Sequence, residues 1–267
     1  MPYRLVEGWK VGEPAIQVWQ SSDKPIVFAG DLHYGYKRTD RFGVKKFIEL
    51  ITFVKASDAK LVLMGDMLEM SIPSHMPHAG VMFQQSITPR EQRRELTAML
   101  EPIQENIVCI LSGNHEKRAG RRTSEDPIDI MCDDLDVPFV PISAFLRIHI
   151  DGKDQTYDGY VRHGYGGSQN PKHELRKEIE RRQLDVDFVG LAHIHQLYAE
   201  PWRGRRVGKD GNVEEMFRWG FRTGGFLKDP AYAIEHGFAH SDVGYILTTF
   251  SGNKHEMQVK PVRMDMV

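Results

Sequence analysis

The sequence predicts an α/β fold in which two sheets lie between helical layers. Three features carry that expectation. Three short, wholly apolar runs each end in glycine, a helical repeat separates the first two, and the second half of the chain turns to strands of a different pattern.

The apolar runs are "PIVFAGD" (25–31), "KLVLMGD" (60–66) and "NIVCILSGNH" (106–115). Short aliphatic runs without polar alternation read as strands buried on both faces. Between the first two, Val44, Phe47, Ile48, Ile51 and Val54 recur at helical spacing. Strand, helix and strand with short links form a βαβ unit, which implies parallel pairing. Three more helices declare their starts. Thr88-Pro89 with Glu91 is a capping box, and Asp126-Pro127 and Asn170-Pro171 repeat the cap-then-proline signal. From Ala144 onward, "FLRIHI", "YDGYVRH" and "DFVGLAH" read as strands, and "VGYILTTF" and "HEMQVKPVRM" as a closing antiparallel pair. No linker, repeat or low-complexity tract divides the chain. Residues 1–267 are expected to form a single domain with its motif core at about 25–200 and strands within 201–267 completing the second sheet.

The composition suits a folded domain: 267 residues, 40% hydrophobic and 27% charged, with net charge −2. That balance gives no global pull toward nucleic acid or anionic lipid. Two isolated cysteines, Cys109 and Cys132, do not make a disulfide framework. With no signal-like N-terminus and no membrane-length apolar run, a cytoplasmic location without membrane association is expected.

Ligands of open α/β sheets gather at the carboxyl ends of strands. Asp31 and His33 follow the first run, Asp66 the second, and Asn114 and His115 the third. His163 follows "YDGYV", and His193 and His195 follow "FVGLA". Any one of these reads equally well as a polar turn or a core histidine. His75, His78, His149, His173, His236, His240 and His255 are given that reading. The matched set at glycine-flanked strand exits points instead to divalent metal, since carboxylates and neutral imidazoles suit borderline cations such as Mn, Fe or Zn. Residues two apart, His193 with His195 and Asp31 with His33, share one side of an extended segment. So many ligands suit two cations sharing a bridge, about 3.5–4 Å apart. Asp66 is the candidate bridge, because a carboxylate offers two oxygens and a charge.

Taken together, "DLH", "GDMLE", "GNHE", "RHG" and "LAHIH" resemble the motif series of the calcineurin-like metallophosphoesterases, in the right order from Asp31 to His195. Glu69 stands where many members have Asp or Asn, and Ala192 where the family usually has Gly. The resemblance implies an α/β/β/α four-layer sandwich. It implies one metal on Asp31, His33 and His195, a second on Asn114, His163 and His193, and Asp66 between them. Mn2+ is the leading metal, with Fe, Zn or Mg as alternatives.

His115 would be the general acid, with Glu69 orienting its ring. Arg118, Arg121 and Arg122 would be candidate contacts to substrate phosphate. The reaction implied is metal-assisted phosphodiester hydrolysis. "DLHYGY" is similar to the opening motif of the double-strand-break repair nucleases, which favours a DNA or RNA substrate. Small phosphodiesters such as cyclic nucleotides, phosphomonoesters, and a non-catalytic scaffold are the other readings. Tyr232, in "RTGGFLKDPAYAIEHG", is a candidate base-stacking residue. No sequence feature names a protein partner or an oligomeric state.

Overall fold

A computed structural model describes residues 3–5, 13–37, 39–71, 85–166, 170–207, 211–227 and 240–264. The chain opens with β1 (Tyr3–Leu5) and β2 (Ala15–Gln20), which pair antiparallel. β3 (Ile26–Ala29), α1 (Thr39–Ser57) and β4 (Lys60–Leu63) form the expected βαβ unit with β3 and β4 parallel. α2 (Pro89–Leu100) leads through a 3-10 turn to β5 (Ile107–Leu111), which continues the parallel sheet beside β4. α3 (Asn114–Thr123), α4 (Pro127–Leu135) and β6 (Phe139–Val140) follow. The second sheet takes β7 (Ser143–Ile150), β8 (Thr156–Arg162) and, after α5 (Pro171–Arg182), β9 (Phe188–Leu191). A long hairpin, β10 (Tyr198–Val207) and β11 (Val213–Arg222), precedes the closing pair β12 (Gly244–Phe250) and β13 (Met257–Arg263).

The sheets have strand orders β13-β12-β3-β4-β5-β6 and β1-β2-β7-β8-β9-β11-β10. Alternation in the first sheet explains why its strands read as continuous apolar runs. Val27, Ala29, Leu61 and Leu63 face α1, α2 and α4, where Phe47, Leu96 and Ile128 pack. Ile26, Phe28, Val62 and Met64 face the other way and meet Ile148, Phe188 and Phe221 of the second sheet. On the far side of that sheet, Tyr160, Val189 and Leu191 pack on Leu175 of α5. The layers are therefore helix, sheet, sheet, helix, the α/β/β/α arrangement expected from the sequence.

The three cap signals all hold. Thr88 and Glu91 close a reciprocal box, while Asp126 and Asn170 accept the amides of Ile128 and His173. Two details differ from the sequence reading. Ile48 is exposed and Leu50 takes its place in the core of α1. The closing pair is antiparallel as expected, but β12 joins β3 in the first sheet, with Ile246 opposite Phe28. The second sheet is extended instead by the β10–β11 hairpin through β9. Alternation tells which face of a strand is buried, not which sheet edge receives it. The hairpin itself is rich in charge and carries Pro201, which suits its position as the edge strand. Among the described residues, no helix is long and apolar enough to cross a membrane.

Phe28 binds the two sheets together, with ring centres 4.8 Å from Phe221 and 5.7 Å from Phe188. Replacing Phe28 with Ala should lower unfolding free energy by about 3–5 kcal/mol, the range for a fully buried aromatic side chain. Urea denaturation checks this, and a loss under about 1 kcal/mol would mean that the inter-sheet core relaxes around the gap.

Candidate metal centre

The site forms where the strand exits of both sheets meet. From the first sheet, the segments after β3 and β4 are zipped by backbone: Asp31 N–H donates to Gly65, His33 N–H to Asp66 and Tyr34 N–H to Met67, at 2.9–3.0 Å. Asp31, His33, Asp66, His193 and His195 all have left-handed φ, between 49° and 78°. The two-residue spacings therefore work through tight left-handed turns rather than through extended strand, which corrects the geometry expected from sequence. Ala192 is not among these left-handed residues, so its side chain brings no left-handed strain. Gly113 is required by contact: a Cβ there would lie 2.1 Å from Asp66 Oδ1.

All seven candidate ligands come together. Asp31, His33 and His195 present donor atoms within 4.8 Å of one another, and so do Asp66, His163 and His193. A third group, His33, Asp66 and His115, links the two. His163 Nε2 stands 3.2 Å from Asp66 Oδ2 and 3.1 Å from Asn114 Oδ1. His33 Nε2 is 3.3 Å from His195 Nε2, which is 3.3 Å from Asp31 Oδ1.

The outer nitrogens are already committed. His163 Nδ1 donates to the Met64 carbonyl at 2.8 Å, and His193 Nε2 to that of Gly166 at 3.0 Å. His33 Nδ1 donates to Glu69 Oε2 at 3.2 Å. Each imidazole thus turns its remaining nitrogen inward, as metal-binding histidines do. Two inward atoms, Asp31 Oδ1 and His193 Nδ1, are buried without a hydrogen bond among the described residues. Orphaned buried acceptors among carboxylates and imidazoles fit a divalent cation, and the donor set suits two.

Charge within the cluster is mutually balanced. Burial opposes ionisation of Asp31 and Asp66, but the surrounding imidazoles outweigh it and hold both carboxyls low, Asp66 well below the usual range. Burial likewise opposes the imidazolium forms of His33 and His163. Glu69, Asp66 and Asp31 overcome it at His33, and Asp66 and Asp31 at His163, so both rings are pushed up to about 9. Burial and the neighbouring His163 lower His193 to about 4.

Two residues beyond the ligands shape the centre. Glu69 serves both neighbours: its carboxylate takes His33, while its backbone carbonyl takes His115 Nδ1 at 2.8 Å. Its expected role toward His115 is thus met by backbone more than by side chain, with Oε2 at 3.5 Å. Glu116 is fully buried and accepts Leu68 N–H and Gly113 N–H, both at 2.9 Å, clamping the loops after β4 and β5. Sequence reasoning missed it, although the Glu ending "GNHE" was the available signal. It also missed Asp242, whose N–H donates to the His195 carbonyl at 2.7 Å and whose carboxylate accepts Leu197 N–H.

The basic residues divide. Arg118 is partly buried, with Nε donating to the Asn114 carbonyl at 3.2 Å. Arg121 and Arg122 are exposed in the last turn of α3. Arg93 pairs with Asp134 at 2.7 Å and ties α2 to α4. The segment 222–227 does fold beneath the site, where Phe226 N–H donates to the Asp31 carbonyl at 2.9 Å. Tyr232, His75, His78 and His236 lie outside the described residues. His149 stacks on Trp19 and His255 on Tyr157, in keeping with structural roles.

No protein-family model matches the sequence, and no curated protein matches it. Among solved structures, Vps29 from Chaetomium thermophilum aligns over 91% of this chain and 97% of its own, at 12% identity and TM-score 0.46. A metallophosphoesterase from Sphaerobacter thermophilus aligns over 91% and 88%, at 14% identity and TM-score 0.41. The 5'-nucleotidase from Candida albicans aligns over 91% and 52%, at 10% identity and TM-score 0.35. Similarities of this size leave the chemistry of the centre to its own side chains.

Ligation requires neutral imidazole, so a divalent cation held by this cluster would have to displace the protons of His33 and His163. Apparent affinity for Mn2+ should therefore climb from pH 6.5 to about 9, with release of roughly two protons near neutrality. Calorimetry in two buffers of different ionisation heat measures that release. A pH-independent affinity would contradict the protonation states described.

Proposed function

We propose that this protein is a metal-dependent phosphoesterase acting on phosphodiester bonds. The observation that supports it most is the position of Asp66, which shares one donor group with His33 and another with His163 and His193. In this reading Asp31, His33 and His195 hold one divalent cation, Asn114, His163 and His193 hold a second, and Asp66 serves both. Mn2+ is the first choice. Bound there, the cations would supply Lewis-acid activation of water and neutralise charge on the phosphoryl oxygens.

The chain's own residues supply the remaining steps. His115 N–H donates to Asp66 Oδ1 at 2.8 Å, which sets the start of α3 against the candidate bridge. With Nδ1 committed to the Glu69 carbonyl, Nε2 is the atom left to give a proton to the leaving oxygen. Burial holds the His115 imidazole below its ordinary range, so its acid form is the low-pH form. Arg118, anchored on the Asn114 carbonyl, stands within the first helical turn from the ligands as a contact for substrate oxygens. Nucleic acid is the favoured substrate, on the "DLHYGY" opening and the cations of α3.

Release of p-nitrophenolate from bis-p-nitrophenyl phosphate on addition of Mn2+, and its arrest by EDTA, is the expected first result. Silence at every divalent metal would mean that the protein is a binding scaffold. A panel of single-stranded DNA, duplex DNA, RNA and cyclic nucleotides then assigns the substrate, and cleavage of the cyclic compounds alone would remove the nuclease reading.

His115→Ala should keep both metals yet lose roughly 10²–10⁴-fold in rate on an ester with a poor leaving group. Because burial lowers His115, the wild-type rate should fall as pH rises through a range below the ordinary imidazole value, and that fall should vanish in the same variant. Asp66→Asn should lose metal and activity together, and full metal occupancy by elemental analysis would reject a shared carboxylate.

A further inference from the structure

Beside the ligand cluster, three cations converge on one aromatic ring. Tyr165 stands two residues beyond His163 and is 37% exposed. The Arg162 guanidinium lies 4.7 Å from its ring centre and Lys177 Nζ 6.0 Å. Arg181 Nη1 donates to its hydroxyl at 3.1 Å. The next residue, Gly166, takes the Nε2–H of His193 on its carbonyl, so the ring and the candidate metal ligands share one short loop.

A ring attracts cations through its quadrupole and leaves their charge in place. The carboxylates that face this group do not cancel it. Glu178 is shared between Arg162 at 3.0 Å and Arg182 at 2.6 Å, and Arg182 also takes Glu13 at 2.8 Å, so Arg162 is partly neutralised while Arg181 and Lys177 carry the excess. Glu174 is 3.8 Å from Lys177, a loose contact. Arg181 has no carboxylate partner among the described residues. Lys117 of α3 is held below its ordinary range chiefly by burial; Asp126 and Glu116 act against that more strongly than Arg162 adds to it, so Lys117 has carboxylates of its own and stands outside this group. Excess positive charge is therefore gathered on the His163 side of the cluster and held in fixed directions by the tyrosine.

We propose that Tyr165, Arg162, Lys177 and Arg181 bind a second, non-scissile phosphate of the substrate, one linkage from the bond that is cut, as a nucleic-acid strand would present. This deepens the phosphoesterase reading above and depends on it only for the identity of the reacting bond. Tyr165 is a positioning residue that aims the three cations. A cyclic mononucleotide, with one phosphate, leaves this anchor unused.

Fluorescence anisotropy of a labelled oligothymidylate, measured in EDTA, reads the anchor without turnover. Arg181→Gln and Tyr165→Leu should each weaken binding about tenfold, the size of one charge-assisted hydrogen bond to phosphate. Each should also lower the salt slope by roughly 0.7 for every phosphate that is no longer neutralised. Tyr165→Phe, which keeps the ring and frees Arg181, should match Arg181→Gln. With Mn2+, hydrolysis of the oligonucleotide relative to bis-p-nitrophenyl phosphate should fall about tenfold in Arg181→Gln.

Unchanged affinity and salt slope in Arg181→Gln and Tyr165→Leu would overturn the anchor, as would an equal fall on both substrates. Turnover of bis-p-nitrophenyl phosphate alongside such unchanged binding would leave the phosphoesterase reading standing. Variant-sensitive binding without any turnover would instead sink that reading and keep the anchor.

Discussion

Everything at the site depends on five non-glycine residues held in left-handed backbone. Asp31, His33, Asp66, His193 and His195 each adopt a φ that an L-residue avoids. Such positions cost of order 1–3 kcal/mol apiece and persist only where surrounding structure over-determines them. Here the determination is visible. Backbone bonds zip the loops after β3 and β4 together, Glu116 clamps the loops after β4 and β5, and Asp242 fixes the turn at His195. Left-handed turns reverse the chain at once, so donors at adjacent strand ends face one another instead of pointing along their strands.

That convergence creates a second difficulty, which is charge. Asp31, Asp66, Glu69 and Glu116 are buried within one region. Buried carboxylates are tolerated only when paired or hydrogen-bonded. Imidazoles and backbone amides provide that pairing: His115 N–H and His163 serve Asp66, and His193 N–H serves Asp31 at 3.0 Å. The same imidazoles are the groups that would turn to a cation. Two inward acceptors, Asp31 Oδ1 and His193 Nδ1, make no hydrogen bond among the described residues, although His195 Nε2 stands 3.3 Å from the first.

Much of this was legible in the sequence, for identifiable reasons. β3, β4 and β5 are apolar on both faces, and such runs followed by Gly-Asp or Gly-Asn-His mark strand and site together. Caps at Thr88, Asp126 and Asn170 are local chemistry, and local chemistry is what a sequence displays. Less legible was whatever depends on distant partners. The β10–β11 hairpin hides its strand character behind arginines and glutamates. β2 alternates plainly, with Ile16, Val18 and Gln20 inward, yet it is short and stands outside every motif. Which sheet β12 would join, and whether Glu69 would serve His33 or His115, are decided by contacts across more than thirty residues of chain.

The two halves of the donor set come from different sheets, and this joins the core to the chemistry. Asp31, His33, Asp66 and Asn114 follow strands of the first sheet, whereas His163, His193 and His195 follow β8 and β9 of the second. His163 reaches across to Asn114, and His195 to His33, so each candidate metal group draws on both sheets. Their separation is set by the side chains between the sheets, foremost Phe28 against Phe188 and Phe221. Interiors packed at this density transmit a change of volume instead of absorbing it. A substitution that lets the sheets shift by a fraction of an ångström would therefore reach both donor groups at once, without touching a ligand. Stability of the sandwich and spacing of the donors are one property of this fold, and neither can be altered alone.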